Sequence, residues 1–393
     1  MKRYVLMFTM FLVMVSPIWG NSGENTISWG VLIDLSGPTS VWGKIQAQGQ
    51  LDAVQWINEQ GGIRGKKLKL IVIDDKYKVH DGVMGFKRLT EGEGVVGIYI
   101  QSTGTTLNLA EKINKLALPT FGASFTAKLQ DPAKTPYNFF VGPSYADQAR
   151  VALKWIADTW QDTTRRPKVV FLYPDNTYGR DILDVAKDYA KKLNIMVGAD
   201  QVVDWPTLDA TTQLHNMKKD APDFAYLTST TQQAATVLKD AKRLGVTTKF
   251  VCNIRSFDES ILKLAGAAAE GVYGVQPFAP FGSEVSGMRM VKASCKSPDF
   301  ENATYVEGWV NILVIAEGLR IAAEKGTVTP ASVKAALETI RDFDPGGLAP
   351  PITFTPDDHR ASTKARIFKV ENGTFKPVTE FIDVGRDREY VGQ

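Results

Sequence analysis

The feature that most constrains this chain is an alternation of short β-rich runs with helical segments, which occurs twice. Ile27 to Asp34, Lys67 to Asp75, Val95 to Gln101 and Leu118 to Ser124 read as strands, and Lys44 to Glu59, His80 to Glu91 and Thr106 to Leu116 between them have helical length and composition. Parallel strands need a crossover between them, so this order implies an α/β fold with a parallel sheet covered on both faces. The pattern restarts after Pro143 with strands Lys168 to Tyr173, Ile195 to Val203, Phe224 to Thr228 and Lys249 to Asn253. One intervening helix sets Ile182, Val185, Ala186, Tyr189 and Leu193 on a stripe, and another does so with Ala234, Val237, Leu238, Ala241 and Leu244. A single core stops growing near about 250–300 residues, so a chain of 393 residues divides into two such units. No long linker separates them, which predicts short crossings and a cleft between facing lobes. A helix from Tyr305 to about Lys325 and another from Ala331 to Asp342 follow, the second entered by Thr329 as N-cap and Pro330 in its first turn. Antiparallel strands turned at Asn372-Gly373 end the chain.

Lys2 and Arg3 precede the apolar run Val5 to Val15, and Pro17 to Gly20 supplies a cleavage region, the pattern of an export signal over residues 1–20. That run is too short for the roughly 20 residues that span a bilayer. No cysteine stands near it to carry a lipid, so the mature chain is expected in the periplasm. The net charge is +3, and two of the positives lie in the signal, leaving a near-neutral body that argues against a nucleic-acid partner.

Local motifs for chemistry are absent. Cys252 and Cys295 are the only cysteines, either bonded or separate thiols, and they exclude a disulfide scaffold or a multi-cysteine zinc site. His80, His215 and His359 lie too far apart for a helical metal pair. Gly92, Gly94 and Gly97 spell GxGxxG, but they end a helix and enter a strand, the reverse of a dinucleotide loop. The string from Gly142 to Ala146 lacks the last glycine of a nucleophile elbow. No metal, no cofactor and no enzymatic activity are expected.

What remains is a set of loops at the C-terminal ends of the strands, where open parallel sheets bind ligands. They read Ser36 to Gly43, Gln101 to Thr106 and Gly122 to Thr126. Small hydroxyl residues there add donors at helix N-termini and leave main-chain amides accessible, a combination suited to a carboxylate. Ordinary caps and turns use the same residues.

The run from Ser36 to Tyr77, PYNFFVGPSYADQA (Pro136 to Ala149), YPDNTYGRD (Tyr173 to Asp181), the segment Asp223 to Gly245 and AGAAAEGVYGVQPF (Ala265 to Phe278) resemble, in the same order, the periplasmic solute-binding proteins of the branched-chain amino-acid and amide ABC-importer family. The resemblance implies a type I periplasmic-binding fold: two Rossmann-like lobes with parallel central sheets, joined by three hinge crossings. Those crossings would fall near Gly142, Val275 and Pro351. Lobe one would then hold residues 24–142 and 278–350, and lobe two residues 143–276 and 353–393. The family's carboxylate cradle would fall on Gln101, Ser102, Ala123 and Ser124, and its aromatic positions on Trp42 and Tyr178. Tyr99 and Thr230 would be further wall positions. Tyr305 would be another wall residue or part of the core, and Trp309 core.

One departure from that family is informative. Where amino-acid binders present an acid to the ligand's ammonium, this chain reads Ile254-Arg255-Ser256. Either Asp258 or Glu259 moves in, or the ligand has no ammonium. Arg255 would pair with a second acidic group on the ligand or lie solvated on its loop. The resemblance thus implies a monomeric substrate-binding subunit that captures a small carboxylate-bearing ligand, an amino acid or an aromatic or other organic acid, by hinge closure. Its partner would be an ABC permease in the inner membrane. A sensor of the same fold signalling to a membrane receptor is the alternative.

Overall fold

The computed structural model describes residues 25–390 and Gly392, so the expected export signal lies outside the described residues. Two sheets organise the chain. The first contains β1 (Thr26–Ile33), β2 (Lys67–Asp74), β3 (Ile98–Ile100), β4 (Thr120–Gly122) and β5 (Asn138–Phe139) in the order β2-β1-β3-β4-β5, all parallel. Helix α1 (Ser40–Glu59) packs on one face, and α2 (Val79–Glu91) and α3 (Thr103–Leu116) pack on the other through Phe86, Leu89, Leu109 and Ile113. β3 is shorter than the expected Val95 to Gln101, and Gly97 just before it lies against the Trp29 indole, leaving no room for a side chain there.

The second sheet is built after α4 (Tyr145–Thr159) from β6 (Lys168–Tyr173), β7 (Met196–Val197), β8 (Gln201–Val202), β9 (Phe224–Leu227), β10 (Lys249–Cys252) and β11 (Tyr273–Gln276), with α5 (Thr177–Arg180), α6 (Leu183–Lys192), α7 (Thr211–Asp220), α8 (Thr231–Arg243) and α9 (Ser260–Ala265) between them. These strands are parallel, whereas β12 (Lys364–Glu371), β13 (Thr374–Pro377) and β14 (Ile382–Asp383) join antiparallel at one edge. The expected strand over Ile195 to Val203 is split in two. Asp220 at the end of α7 accepts the Ala199 amide at 2.7 Å, which takes the middle of the segment out of the ladder.

The remaining helices return to the first sheet: α10 (Met288–Ser294), α11 (Ala303–Glu324) and α12 (Pro330–Leu337), the last capped by Thr329 as expected. α11 crosses α1 at close range. Gly49 lies against the Tyr305 carbonyl and Gly308 against the Gln46 carbonyl, and neither position leaves room for a Cβ.

The molecule is therefore an α/β protein of two Rossmann-like lobes whose chain crosses three times between sheets. The first and third crossings run side by side: the Phe140 amide donates to the His359 carbonyl at 3.0 Å, and the Ala361 amide to the Phe140 carbonyl at 2.8 Å. The third lies beyond Pro351, because Ile352 still pairs with Phe343 and Phe354 still packs against Phe139 of the first sheet. Buried charge fastens this junction. Asp147 accepts from both Arg150 and Arg360 at 3.1 Å, and Arg360 also pairs with Asp358 at 2.8 Å.

Candidate functional site

The facing edges of the two sheets are where their strands end and their helices begin. Four helices send a residue of their N-terminal turn or cap to one interlobe cavity: Thr39 ahead of α1, Thr103 of α3, Tyr145 of α4 and Thr230 ahead of α8. A first helical turn leaves its amides without intrahelical partners and carries the positive end of the helix dipole, so the four together favour an anion. Aromatic rings close the sides. Tyr77 packs on Trp205 at 6.1 Å, Trp205 on Tyr178 at 5.9 Å and Tyr178 on Tyr145 at 5.2 Å, a continuous wall that passes from one lobe to the other. The enclosed space is about 40 Å³ on a scale where one water takes about 10–15 Å³, so a compact guest is what this arrangement accommodates.

Six residues singled out from the sequence line this cavity: Trp42, Gln101, Ala123, Tyr178, Thr230 and Arg255. Gln101 is committed to the loop after β1, its Oε1 accepting the Asp34 amide at 2.6 Å and its Nε2 donating to Thr39 at 3.0 Å. The Ala123 carbonyl accepts from the Tyr145 hydroxyl at 2.7 Å and from Arg255 at 2.8 Å. Tyr178 donates to the Ser229 carbonyl at 2.9 Å and accepts from Asn253 at 2.9 Å, which fixes its ring.

Tyr99, Ser102, Ser124 and Tyr305 are not among the lining residues. Ser102 is the N-cap of α3 and turns back to the Thr105 amide. Ser124 donates to the Thr103 hydroxyl at 2.9 Å, so it supports the cavity from behind. Tyr99 is buried and donates to Gln46, and Tyr305 is buried and donates to Asp52 at 2.6 Å. Thr39 and Thr103 lie in the loops read as ligand-facing, Thr103 one position after Ser102 and Thr39 three before Trp42. Tyr77, Tyr145 and Trp205 carried no local signal beyond being aromatics near strand or helix ends.

Among the described residues, Arg255 is the one charged residue on the cavity wall, and it is already paired. Its Nη1 and Nη2 reach the two carboxylate oxygens of Glu307 at 2.5 and 3.0 Å, and its guanidinium lies 4.6 Å over Trp42 and 4.9 Å over Phe125. It is neither solvated nor open-handed, since the bidentate pair expected with a guest is made with α11 of the other lobe. Burial opposes its charge, but Glu307 together with Tyr145 and Tyr99 outweighs burial and holds its pKa above the ordinary arginine range. Asp258 accepts from Thr231, Ser260 and Asn302, and Glu259 from the amides of Phe281 and Ala303. Neither acid moves into the cavity.

Buried acids pushed above the ordinary carboxylate range give an expected pH dependence: Asp181 and Asp75 near the cleft, and Glu259, which burial raises to about 7. Burial pushes Asp181 up to about 7 against a hydrogen bond from Thr126 in the facing lobe, and burial together with Asp34, Asp74 and Asp81 pushes Asp75 up to about 6. All three folded values exceed the unfolded ones, so their stabilisation is present below about pH 4 and is lost as pH rises through 6 and 7. Carboxylates with lowered values, such as Asp358 and Glu338, act only below that window. Urea denaturation is expected to show more stability at pH 5 than at pH 8, on the order of 3 kcal/mol. Asp181→Asn should flatten that slope, and an unchanged slope in the variant would remove Asp181 from the account.

Comparison with known proteins follows the geometry. The family described as periplasmic binding protein matches residues 26–374. The chain is 24% identical over 319 residues to a leucine-, isoleucine-, valine-, threonine-, and alanine-binding protein of Pseudomonas aeruginosa, covering 80% of this chain and 82% of that one. A solved branched chain amino acid ABC transporter protein from Thermus thermophilus with bound valine aligns with a TM-score of 0.86 at 26% identity, over 93% of this chain and 98% of that one. A fatty acid ABC transporter substrate-binding protein from Thermomonospora curvata shares the fold with a TM-score of 0.83 at 21% identity, over 92% and 94% of the two chains.

Proposed function

The chain belongs to the periplasmic binding proteins, an exported solute-binding family rather than an enzyme family, and from that premise we propose that it is the extracytoplasmic substrate-binding subunit of an ABC importer, taking a small carboxylate-bearing ligand into the interlobe cleft. The observation that carries this reading is the convergence of four helix N-termini on a cavity whose lining, among the described residues, contains no acid. The ligand docks by its anionic end at the first turn of α3, and its apolar body lies along the wall from Tyr77 to Tyr145. Residues 25–142 with 278 to the third crossing, past Phe354, form one moving lobe. The other contains 143–276 and the chain that follows the third crossing. Closure adds Tyr178, Trp205 and Thr230 to contacts that the first lobe offers alone, so the ligand stabilises the closed state by its differential contacts there. The closed shape is what an inner-membrane permease would recognise, and the subunit acts as a monomer.

Thermal unfolding in the presence of isovalerate, isocaproate, benzoate and hydrocinnamate tests this reading. A ligand held only by the native state stabilises it by about 2.7 kcal/mol at a hundred times its Kd. At least one acid should raise Tm, its carboxamide analogue should not, and the acid should be recovered unchanged after denaturation. Equal binding of acid and amide would show that the helix N-termini serve no anion.

A further inference from the structure

Arg255 leaves its own lobe. It sits on the turn after β10, yet its guanidinium reaches across to the facing lobe, to both oxygens of Glu307 on α11 and the carbonyl of Ala123 after β4, with the Tyr145 hydroxyl of its own lobe beside it. The guanidinium lies over the aromatic rings of Trp42 and Phe125. The Arg255 side chain is 9% exposed and that of Glu307 is 1% exposed, so the pair is shielded from solvent. Among the described residues, the buried polar atoms of the lining that lack a partner are two donors, Arg255 Nε and Trp42 Nε1. Hydroxyls on the same wall are engaged: Tyr178 and Tyr145 with the carbonyls of Ser229 and Ala123, Thr103 with Ser124, and Thr39 with Asp34.

We propose that the Arg255–Glu307 pair determines specificity, and that the guest is a small monocarboxylate carrying no ammonium. This rests on the reading of the cleft as a carboxylate site and narrows it. The pair places within the protein the cation and the carboxylate that would otherwise be contributed by ligand and site. An α-amino acid entering this cavity would bury its ammonium beside the Arg255 guanidinium, with Glu307 already saturated by two hydrogen bonds. An unpaired buried charge is strongly disfavoured, whereas the acid with the same carbon skeleton brings no such charge and meets the donors Arg255 Nε and Trp42 Nε1 beside the aromatic faces.

The test is calorimetric titration of the wild-type protein with pairs that differ by the ammonium alone: isovalerate and valine, isocaproate and leucine, hydrocinnamate and phenylalanine. In any pair that binds, the acid should bind roughly 100-fold more tightly or better. An amino acid that binds as tightly as its acid overturns the inference and leaves the carboxylate reading standing. Failure of every acid and every amino acid to bind overturns both. Arg255→Met supplies a second readout, because it keeps the stem and leaves Glu307 as an unpaired carboxylate next to the cavity. The acid-to-amino-acid ratio should then fall by at least about tenfold, and a ratio equal to the wild-type value would contradict the assignment. The wild-type pairs decide the question even where that variant does not fold.

Discussion

Asp147→Ala is expected to destabilise the protein by about 3–5 kcal/mol, the cost of leaving buried cations without their counter-ion. Asp147 is fully buried and serves three groups. It holds Arg150 and Arg360, each at 3.1 Å, and it closes a capping box with Ser144 at the start of α4. Arg360 keeps Asp358, and Arg150 keeps the Val384 carbonyl and the Tyr390 ring, so the loss is partial rather than a collapse of the network. Because these groups lie at the junction of two crossings, separating the lobes offers them no route to water. The whole penalty should therefore appear in the urea midpoint at an unchanged m-value. Asp147→Asn keeps an oxygen to accept from Ser144 but removes the charge, and should fall between the wild type and the alanine variant. A loss below about 1 kcal/mol for Asp147→Ala would mean that the two arginines find solvent or another acid.

Gly308→Leu should be comparably costly, about 3 kcal/mol or more, for a steric reason. A Cβ at residue 308 would run into the Gln46 carbonyl and the backbone at Gly49, so the side chain forces α11 away from α1. Those helices carry the two sides of the Arg255 socket, Trp42 on α1 and Glu307 one residue before the substitution. Affinity for a binding acid should drop together with stability. Trp309→Ala gives the contrast. Trp309 is fully buried and does not line the interlobe cavity, so its truncation should cost about 3–5 kcal/mol of stability while native molecules bind as before. If Gly308→Leu lowered stability and left affinity intact, the helix crossing would not position the socket.

The fold was legible because its signals are local. β-branched runs, helical stripes, the Thr329-Pro330 start and the Asn372-Gly373 turn each depend on a few neighbouring residues, and all appear in the structure. The split of Ile195 to Val203 was not legible, since it depends on Asp220, which approaches only in the folded chain. The cavity was half legible for the same reason. Loops at strand ends pointed to Gln101 and Ala123, but which hydroxyl faces inward is decided at the N-cap: Ser102 turns back on its helix, and Thr103 takes the wall. Nothing within the sequence around Arg255 announced Glu307, some fifty positions away and in the other lobe.

Interlobe distance measured against ligand addresses the central idea most directly. Val41 on α1 of the first lobe and Leu208, three residues after the wall residue Trp205 of the second, are both exposed, and Val41→Cys with Leu208→Cys, in a Cys295→Ser background, accept a pair of spin labels. On saturation with whichever of isovalerate, isocaproate, benzoate or hydrocinnamate binds most tightly, the distance distribution should shift to shorter values and narrow, with the acid recovered intact. An acid that binds stoichiometrically while the distribution stays where it was would contradict capture by closure of the two lobes.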